Sequence, residues 1–288
     1  ADLLNIAQPA LSQQIAILES EVKQRLLVRT KRGVSPTEAG KTLYRHAQAI
    51  LRQCEQARMD MQTESRGVSG PVSVGLAPGT AAATLGLPLI RRIRSQHPGI
   101  VPYLNENYGT ALSELVMSGR MDLAVLYGNR PVHGLSFTPL MQEELFLVGP
   151  SSGSDAIPLA ELDGIGLFLP RPYNVVRKLV DENFMRARIQ FRLIAEVESA
   201  MTLKALINEG LGATISPWSM AREIAGDRPS WCRHIVDPVI AAPLTLCQSD
   251  HLPLSEPAQV VRAILLELAG SLGAGATWPH DSGDPGAP

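Results

Sequence analysis

The stretch "IAQPALSQQIAILESEVKQRLLVRTKRGVSPTEAG", residues 6–40, decides how this chain is read. Leu11, Ile15, Leu18 and Val22 recur at helical spacing, which predicts a helix running to about Gln24. Pro9 suits its first turn, where a missing N–H costs nothing. The other face carries Gln8, Ser12, Gln13 and Ala16 and almost no charge, whereas a helix face turned only to water is ordinarily rich in Lys and Glu. Residues 1–6 read as the end of a preceding helix and Ala7-Gln8-Pro9 as a turn, so the layout is that of a helix-turn-helix. "LLVRTKRGVSPT", 26–37, then reads as a hairpin with a Lys-Arg-Gly tip, Gly33 supplying the positive φ. The chain opens Ala-Asp-Leu-Leu without Met, and we expect it to be a fragment lacking an N-terminal piece.

Charge agrees with that picture. The net charge is −2, but residues 1–66 carry ten Lys/Arg against seven Asp/Glu, and the remainder sixteen against twenty-one. Within 23–45, Lys23, Arg25, Arg29, Lys31, Arg32, Lys41 and Arg45 face Glu38 alone. A basic block beside an amide-rich helix face points to a polyanion partner.

Thr37 can cap a long helix, 37 to about 65. Its apolar positions Leu43, Ala47, Ile50, Cys54, Ala57 and Met61 alternate steps of four and three, the spacing of a self-associating seam. "SRGVSGPV", 65–72, is a linker by composition, and strands and helices alternate beyond it. Strands are expected at 72–77, 101–106, 122–127, 145–148, 165–169, 192–197, 213–216 and 244–247. Helices are expected at 80–95, 110–118, 174–187, 200–209 and 256–269, giving an α/β fold with parallel strands. The domain reading is 1–36 DNA-binding, 37–66 linker helix, 68–145 lobe I, 146–243 lobe II, 244–269 return to lobe I, and 270–288 disordered tail.

Catalytic signatures are lacking. "GLAPGT" at 75–80 is too short for a phosphate loop and has no Lys, and GxSxG, HExxH and GxGxxG do not occur. The six His are scattered, and Glu143–Glu144 and Glu196/Glu198 read as solvated strand ends. Cys54, Cys232 and Cys247 lack metal spacing and read as small core residues of a reduced, cytoplasmic protein. No apolar run is long enough to span a bilayer, and no signal peptide is legible. No metal or cofactor is expected. What recurs instead is a strand, a small polar residue, then a helix. Pro78, Gly79, Thr80, Thr110, Tyr127, Pro170, Asn174 and Ser199 sit at such junctions, where helix N-termini can hold a small polar or anionic effector.

Residues 6–40 resemble the winged helix-turn-helix of LysR-type transcriptional regulators: Leu4, then Gln8-Pro9-Ala10 and Ser12, Ile15, Leu18-Glu19, the wing arginines and Thr37–Gly40. "GPVSVGLAPGT", "PLIRRIRSQHPGI", "MSGRMDLAVLYG" and "INEGLGATISP" resemble the family's effector domain. "ILRQCEQAR" and "LFLPRPY" are similar to the branch that controls nitrogen assimilation. The resemblance implies a two-lobed effector domain of the type 2 periplasmic-binding-protein kind. It also implies a homodimer or homotetramer built through the linker helix, and activation or repression at promoters through contact with RNA polymerase. It carries base or backbone contact onto Gln8, Pro9, Ala10, Ser12 and Gln13, and phosphate or minor-groove contact onto Arg29, Lys31 and Arg32. The family's first helix and the start of its second are missing, so we expect the chain as written to bind DNA poorly. Many relatives carry Arg where this sequence has Gln13, so their base preference does not transfer. The competing reading is a cytosolic small-molecule receptor or enzyme on the same two-lobed fold, which leaves the amide face and basic hairpin unexplained.

Overall fold

The computed structural model describes residues 7–30, 33–62, 67–78, 81–128, 130–150 and 154–275. By contacts the chain divides into two units, 1–58 and 59–288.

In the first unit, α1 spans Gln8–Val22 with Pro9 in its first turn and stops where Lys23 adopts a left-handed φ of 51°. Glu19 organises the chain leaving the helix: its Oε1 accepts the N–H groups of Leu26 at 2.7 Å and Leu27 at 3.0 Å. That starts β1, Leu27–Thr30, which pairs antiparallel with β2, Gly33–Pro36, Arg29 opposite Val34. Gly33 has a φ of 125°, as the hairpin tip requires. Thr37 then closes the unit. Its Oγ1 donates to the Arg25 carbonyl at 2.6 Å and accepts the Gly40 N–H at 3.0 Å, capping α2, Glu38–Gln62. A Cβ on Gly40 would lie 2.0 Å from the Leu26 carbonyl oxygen, which explains the Gly in Thr-Glu-Ala-Gly.

The apolar stripe of α1 is less covered than its periodicity predicts. No α1 residue is buried; Leu11 and Ile15 are half-covered, while Leu18 and Val22 are exposed. Among the described residues of this unit, one helix, a hairpin and a helix start present too little surface to cover it.

In the second unit the elements run β3 Gly70–Leu76, a π-helical segment Ala81–Gly86, α3 Leu87–Gln96, β4 Ile100–Glu106, α4 Gly109–Met117 and β5 Leu123–Tyr127. Next come β6 Leu135–Val148, β7 Ala156–Pro158, β8 Gly166–Leu169, α5 Val175–Ala187, β9 Arg192–Glu196 and α6 Ala200–Asn208. The last are β10 Ala213–Pro217, α7 Trp218–Ala225, β11 Cys232–Val236, β12 Ala241–Ser249 and α8 Glu256–Gly275. The sheet order is β4-β3-β5-β12-β6-β10-β8-β9, with β11 on β6 and β7 on β11. β6 belongs to both lobes: residues 135–144 run along β12, with Leu140 skipped where the register shifts, and residues 145–148 pair with β10. Val72, Val74, Leu89, Ile93, Leu123, Leu246 and Leu265 fill the core of one lobe. Leu147, Leu162, Leu167, Val180, Phe184 and Ile215 fill a core of the other. Tyr127 packs against both.

Several expectations need correction. The sheet is mixed: β12 runs antiparallel to β5 and β6, and β10 antiparallel to β6. Only the end of β6 was legible, because Pro139 and Gln142–Glu144 interrupt its apolar run. The ladder also shifts register at Leu244/Thr245, breaking the period-two alternation. The helix expected at 80–95 begins as a π-helical segment, since Pro88 gives no N–H to the preceding turn and α3 starts only at Leu87. α8 runs to Gly275, past the expected end at 269; in the added turn the Ser271 hydroxyl bonds back to the Glu267 carbonyl at 3.0 Å. Residues 276–288 lie outside those described. Cys232 and Cys247 are core residues as expected, and burial pushes their thiols up to about 11 and about 12. Cys54 is exposed.

Candidate DNA-reading face and interlobe cleft

On α1, Gln8, Pro9, Ala10, Gln13 and Ala16 are exposed and Ser12 is half-covered, so the uncharged face of the sequence is a real surface. Gln14 is exposed on the same helix and escaped the sequence reading. Gln side chains offer an amide donor and acceptor together, the pair an adenine edge takes in the major groove. Arg29 lies in β1 by its backbone, and its side chain is outside the described residues, as are Lys31 and Arg32 entirely. Along α2, Leu43 and Ala47 are half-covered, whereas Ile50 is 62% and Leu51 66% exposed, with Tyr44 and Cys54 also open to solvent. The side chains of Ala57 and Met61 are outside the described set. Tyr44 and Leu51 widen the apolar seam and were missed because they stand one position beside it.

In the second unit a cleft of about 600 Å³ lies between the lobes. Pro78, Thr110, Tyr127, Pro170, Asn174 and Ser199 line it as the sequence suggested; Gly79 and Thr80 lie outside the described residues. Its walls are largely apolar, with Leu126 and Phe137 from one lobe and Val176, Leu179, Ile215 and Met220 from the other. Four helices begin there, α4, α5, α6 and α7, and their ends differ. Asn174 Oδ1 accepts the Val176 N–H at 2.8 Å and Ser199 Oγ the Thr202 N–H at 3.2 Å, so α5 and α6 carry their own caps. α4 and α7 have no side-chain cap, since Tyr108 and Pro217 precede them, and in the first turn of α7 the Ser219 hydroxyl is given to Glu143.

Sequence reading missed the cleft's polar groups. Tyr173 donates its hydroxyl to Glu198, and both line the cleft with Tyr108. Burial first, then the Glu198 and Tyr173 charges, push the Tyr108 phenol up to about 12. Arg130 meets Glu182 at 3.6 Å. Ser216 lines the same cleft at 5% exposure, and its hydroxyl has no partner among the described residues.

Two paired carboxylates also correct the sequence reading. Glu143 is no solvated strand end: it is 2% exposed in the middle of β6. It accepts the Tyr127 hydroxyl at 2.7 Å and the Ser219 hydroxyl at 2.5 Å, tying β5 to the start of α7. Burial, then Glu143, raises the Tyr127 phenol well above its ordinary value. Glu144 pairs with the buried His234 at 2.7 Å. Glu196 holds Arg171 at 3.6 Å and Arg177 at 3.8 Å. Among the described residues no cluster of His, Cys, Asp and Glu could hold a metal, and no helix is long and apolar enough to cross a membrane.

A helix, a basic hairpin and a long helix, followed in the chain by a two-lobed α/β unit, is the layout of a DNA-binding transcriptional regulator. Residues 1–41 match the family described as "Bacterial regulatory helix-turn-helix protein, lysR family", and residues 65–270 match "LysR substrate binding domain". The chain belongs to the LysR family of transcriptional regulators. It is 47% identical to the nitrogen assimilation regulatory protein nac of Klebsiella aerogenes, over 93% of this chain and 88% of that one. A point variant of full-length OxyR from Pseudomonas aeruginosa shares the fold with a TM-score of 0.69 at 21% identity, over 93% of this chain and 87% of that one. Full-length CbnR complexed with its target DNA aligns with a TM-score of 0.59 at 23% identity, over 93% and 92% of the two chains.

Proposed function

We propose that this regulator controls nitrogen-assimilation genes, binding their promoters as a homo-oligomer and acting on RNA polymerase there. The observation that carries this reading is the 47% identity to a nitrogen assimilation regulator across nearly the whole of both chains. On this reading the protein is cytoplasmic and not an enzyme. Gln8, Pro9, Ala10, Ser12 and Gln13 read base edges or pack on thymine methyls, and Arg29, Lys31 and Arg32 hold phosphates or the adjacent minor groove. Leu43, Ala47, Ile50, Cys54, Ala57 and Met61 face a second copy. The exposure of Ile50 and Leu51 supports this, because an apolar face on a long helix is costly to leave in water.

The cleft is the effector site of this reading, taking a small polar molecule between Thr110, Tyr127, Pro170, Asn174 and Ser199. The physiological test is chromatin immunoprecipitation from cells moved from ammonium excess to a poor nitrogen source. Enrichment at nitrogen-assimilation promoters is expected; occupancy confined to unrelated genes would overturn the assignment. For the effector, calorimetry against a broad metabolite panel is the check, and uniform silence would make the protein effector-independent.

A further inference from the structure

The cleft presents two poles of opposite preference. At one, α4 begins without a side-chain cap: Gly109 and Thr110 line the cleft, and the first turn contains no acidic residue. The amides at such an end favour an anion, and no side chain among the described residues caps them. α5 and α6 open on the same space with their amides already taken by Asn174 and Ser199. The other pole adjoins it through Tyr108, the residue that precedes α4: there stand Glu198, its hydrogen-bonded Tyr173, and Tyr108, a carboxylate beside two phenols. Such a group attracts an ammonium by charge and by the ring faces. The charges of the wall argue against a plain anion. With Arg130 engaged by Glu182, only Lys178 among the described lining residues offsets Glu114 and Glu198. Beside these poles most of the remaining wall is apolar, and the buried Ser216 hydroxyl has no partner among the described residues.

We infer that the ligand of this cleft is a zwitterion of the α-amino-acid class. Its carboxylate meets the open N-terminus of α4, its ammonium meets Glu198 with Tyr108 and Tyr173, and its side chain lies against Phe137, Ile215 and Met220. Ser216 receives a polar atom of that side chain. The inference rests on the effector reading of the cleft and goes further by naming the ligand class.

The test is titration calorimetry on the whole chain with two matched sets of probes: L-tryptophan, tryptamine and indolepropionate, and L-methionine, methylthiopropylamine and methylthiobutyrate. Within each set the body is held while one charge is removed. At least one amino acid should bind, with both single-charge analogues about tenfold weaker or more. Glu198→Gln should bring the amino acid down to the level of its carboxylate analogue without changing the affinity for that analogue. Ser216→Ala should weaken L-tryptophan, whose ring carries an N–H, and the melting temperature of each variant reports its folding. A carboxylate analogue that binds as tightly as the amino acid would overturn the zwitterion inference while leaving the cleft a ligand site. Unchanged amino-acid binding in Glu198→Gln would overturn the ammonium pole. Silence from all six probes would overturn the inference, and the broad metabolite panel then decides separately whether the cleft binds anything.

Discussion

Removing one hydroxyl, in Tyr127→Phe, should cost the effector unit about 2 kcal/mol. The ring would stay, and with it the packing against the cores of both lobes. What goes is the donor at 2.7 Å to Glu143, a carboxylate 2% exposed. A hydrogen bond to a charged group is worth roughly 1.5–3 kcal/mol, and a buried acceptor deprived of its donor bears that loss nearly in full. Ser219 remains on the other oxygen at 2.5 Å, so the carboxylate is not stranded and the lower half of the range applies. For a unit of this size about 2 kcal/mol lowers the melting temperature by about 4–8 °C. Thermal and urea unfolding followed by circular dichroism measure it. The cycle is completed by Glu143→Leu and the double variant, in which both partners become apolar and part of the loss returns. A Tyr127→Phe protein within about 0.5 kcal/mol of the parent would mean that Glu143 does not depend on this donor, and the bond would lose its place in the stability of the unit.

Gln13→Ala should leave stability within about 0.5 kcal/mol, because Gln13 is exposed. It should nonetheless reduce discrimination between operator and random DNA by roughly 1–3 kcal/mol, read by competition with labelled duplexes. Gly40→Ala drives a Cβ to 2.0 Å from the Leu26 carbonyl and should destabilise the first unit by about 3 kcal/mol, seen as faster hydrogen exchange at Leu26 and Thr37. Ile50→Lys places a charge on the expected seam and should split the oligomer; a sedimentation coefficient unchanged from the parent would contradict that. The difference ultraviolet titration between the parent and Tyr108→Phe should show a phenol ionising near 12 rather than 10.0. Tyr127 is also raised, by burial first and then by Glu143, so the folded state keeps a proton that the unfolded chain releases. Its contribution is complete below the ordinary phenol value and is lost as pH climbs above it.

The first unit was legible almost residue by residue, because its devices are local. Pro9, the Gly33 tip and the Thr37 cap on the Gly40 N–H each act within a few residues of themselves, although the bond from Thr37 back to the Arg25 carbonyl spans twelve and was not legible. The reason for Glu19 was not legible, since its carboxylate reaches seven and eight residues onward to the start of β1. In the second unit the strand–helix junctions gave the cleft's rim, but not its chemistry. Tyr173 and Glu198 are 25 residues apart, and Tyr127, Glu143 and Ser219 come from three elements. Nothing in local pattern joins them. Glu143 was misread because a carboxylate between Gln142 and Glu144 looks like part of a polar, solvated end, while the fold of β6 turns it inward to two hydroxyls.

Whether the α1 face reads DNA sequence is decided by titrating two labelled duplexes at several salt concentrations. One carries an interrupted palindrome of the family type and the other its scramble. A preference of about a thousandfold or more for the palindrome is expected. Gln13→Ala should erode that preference with the salt slope unchanged, since the slope reports phosphate contacts. Equal, steeply salt-dependent binding to both duplexes, unaltered by Gln13→Ala, would show that α1 holds DNA without reading it.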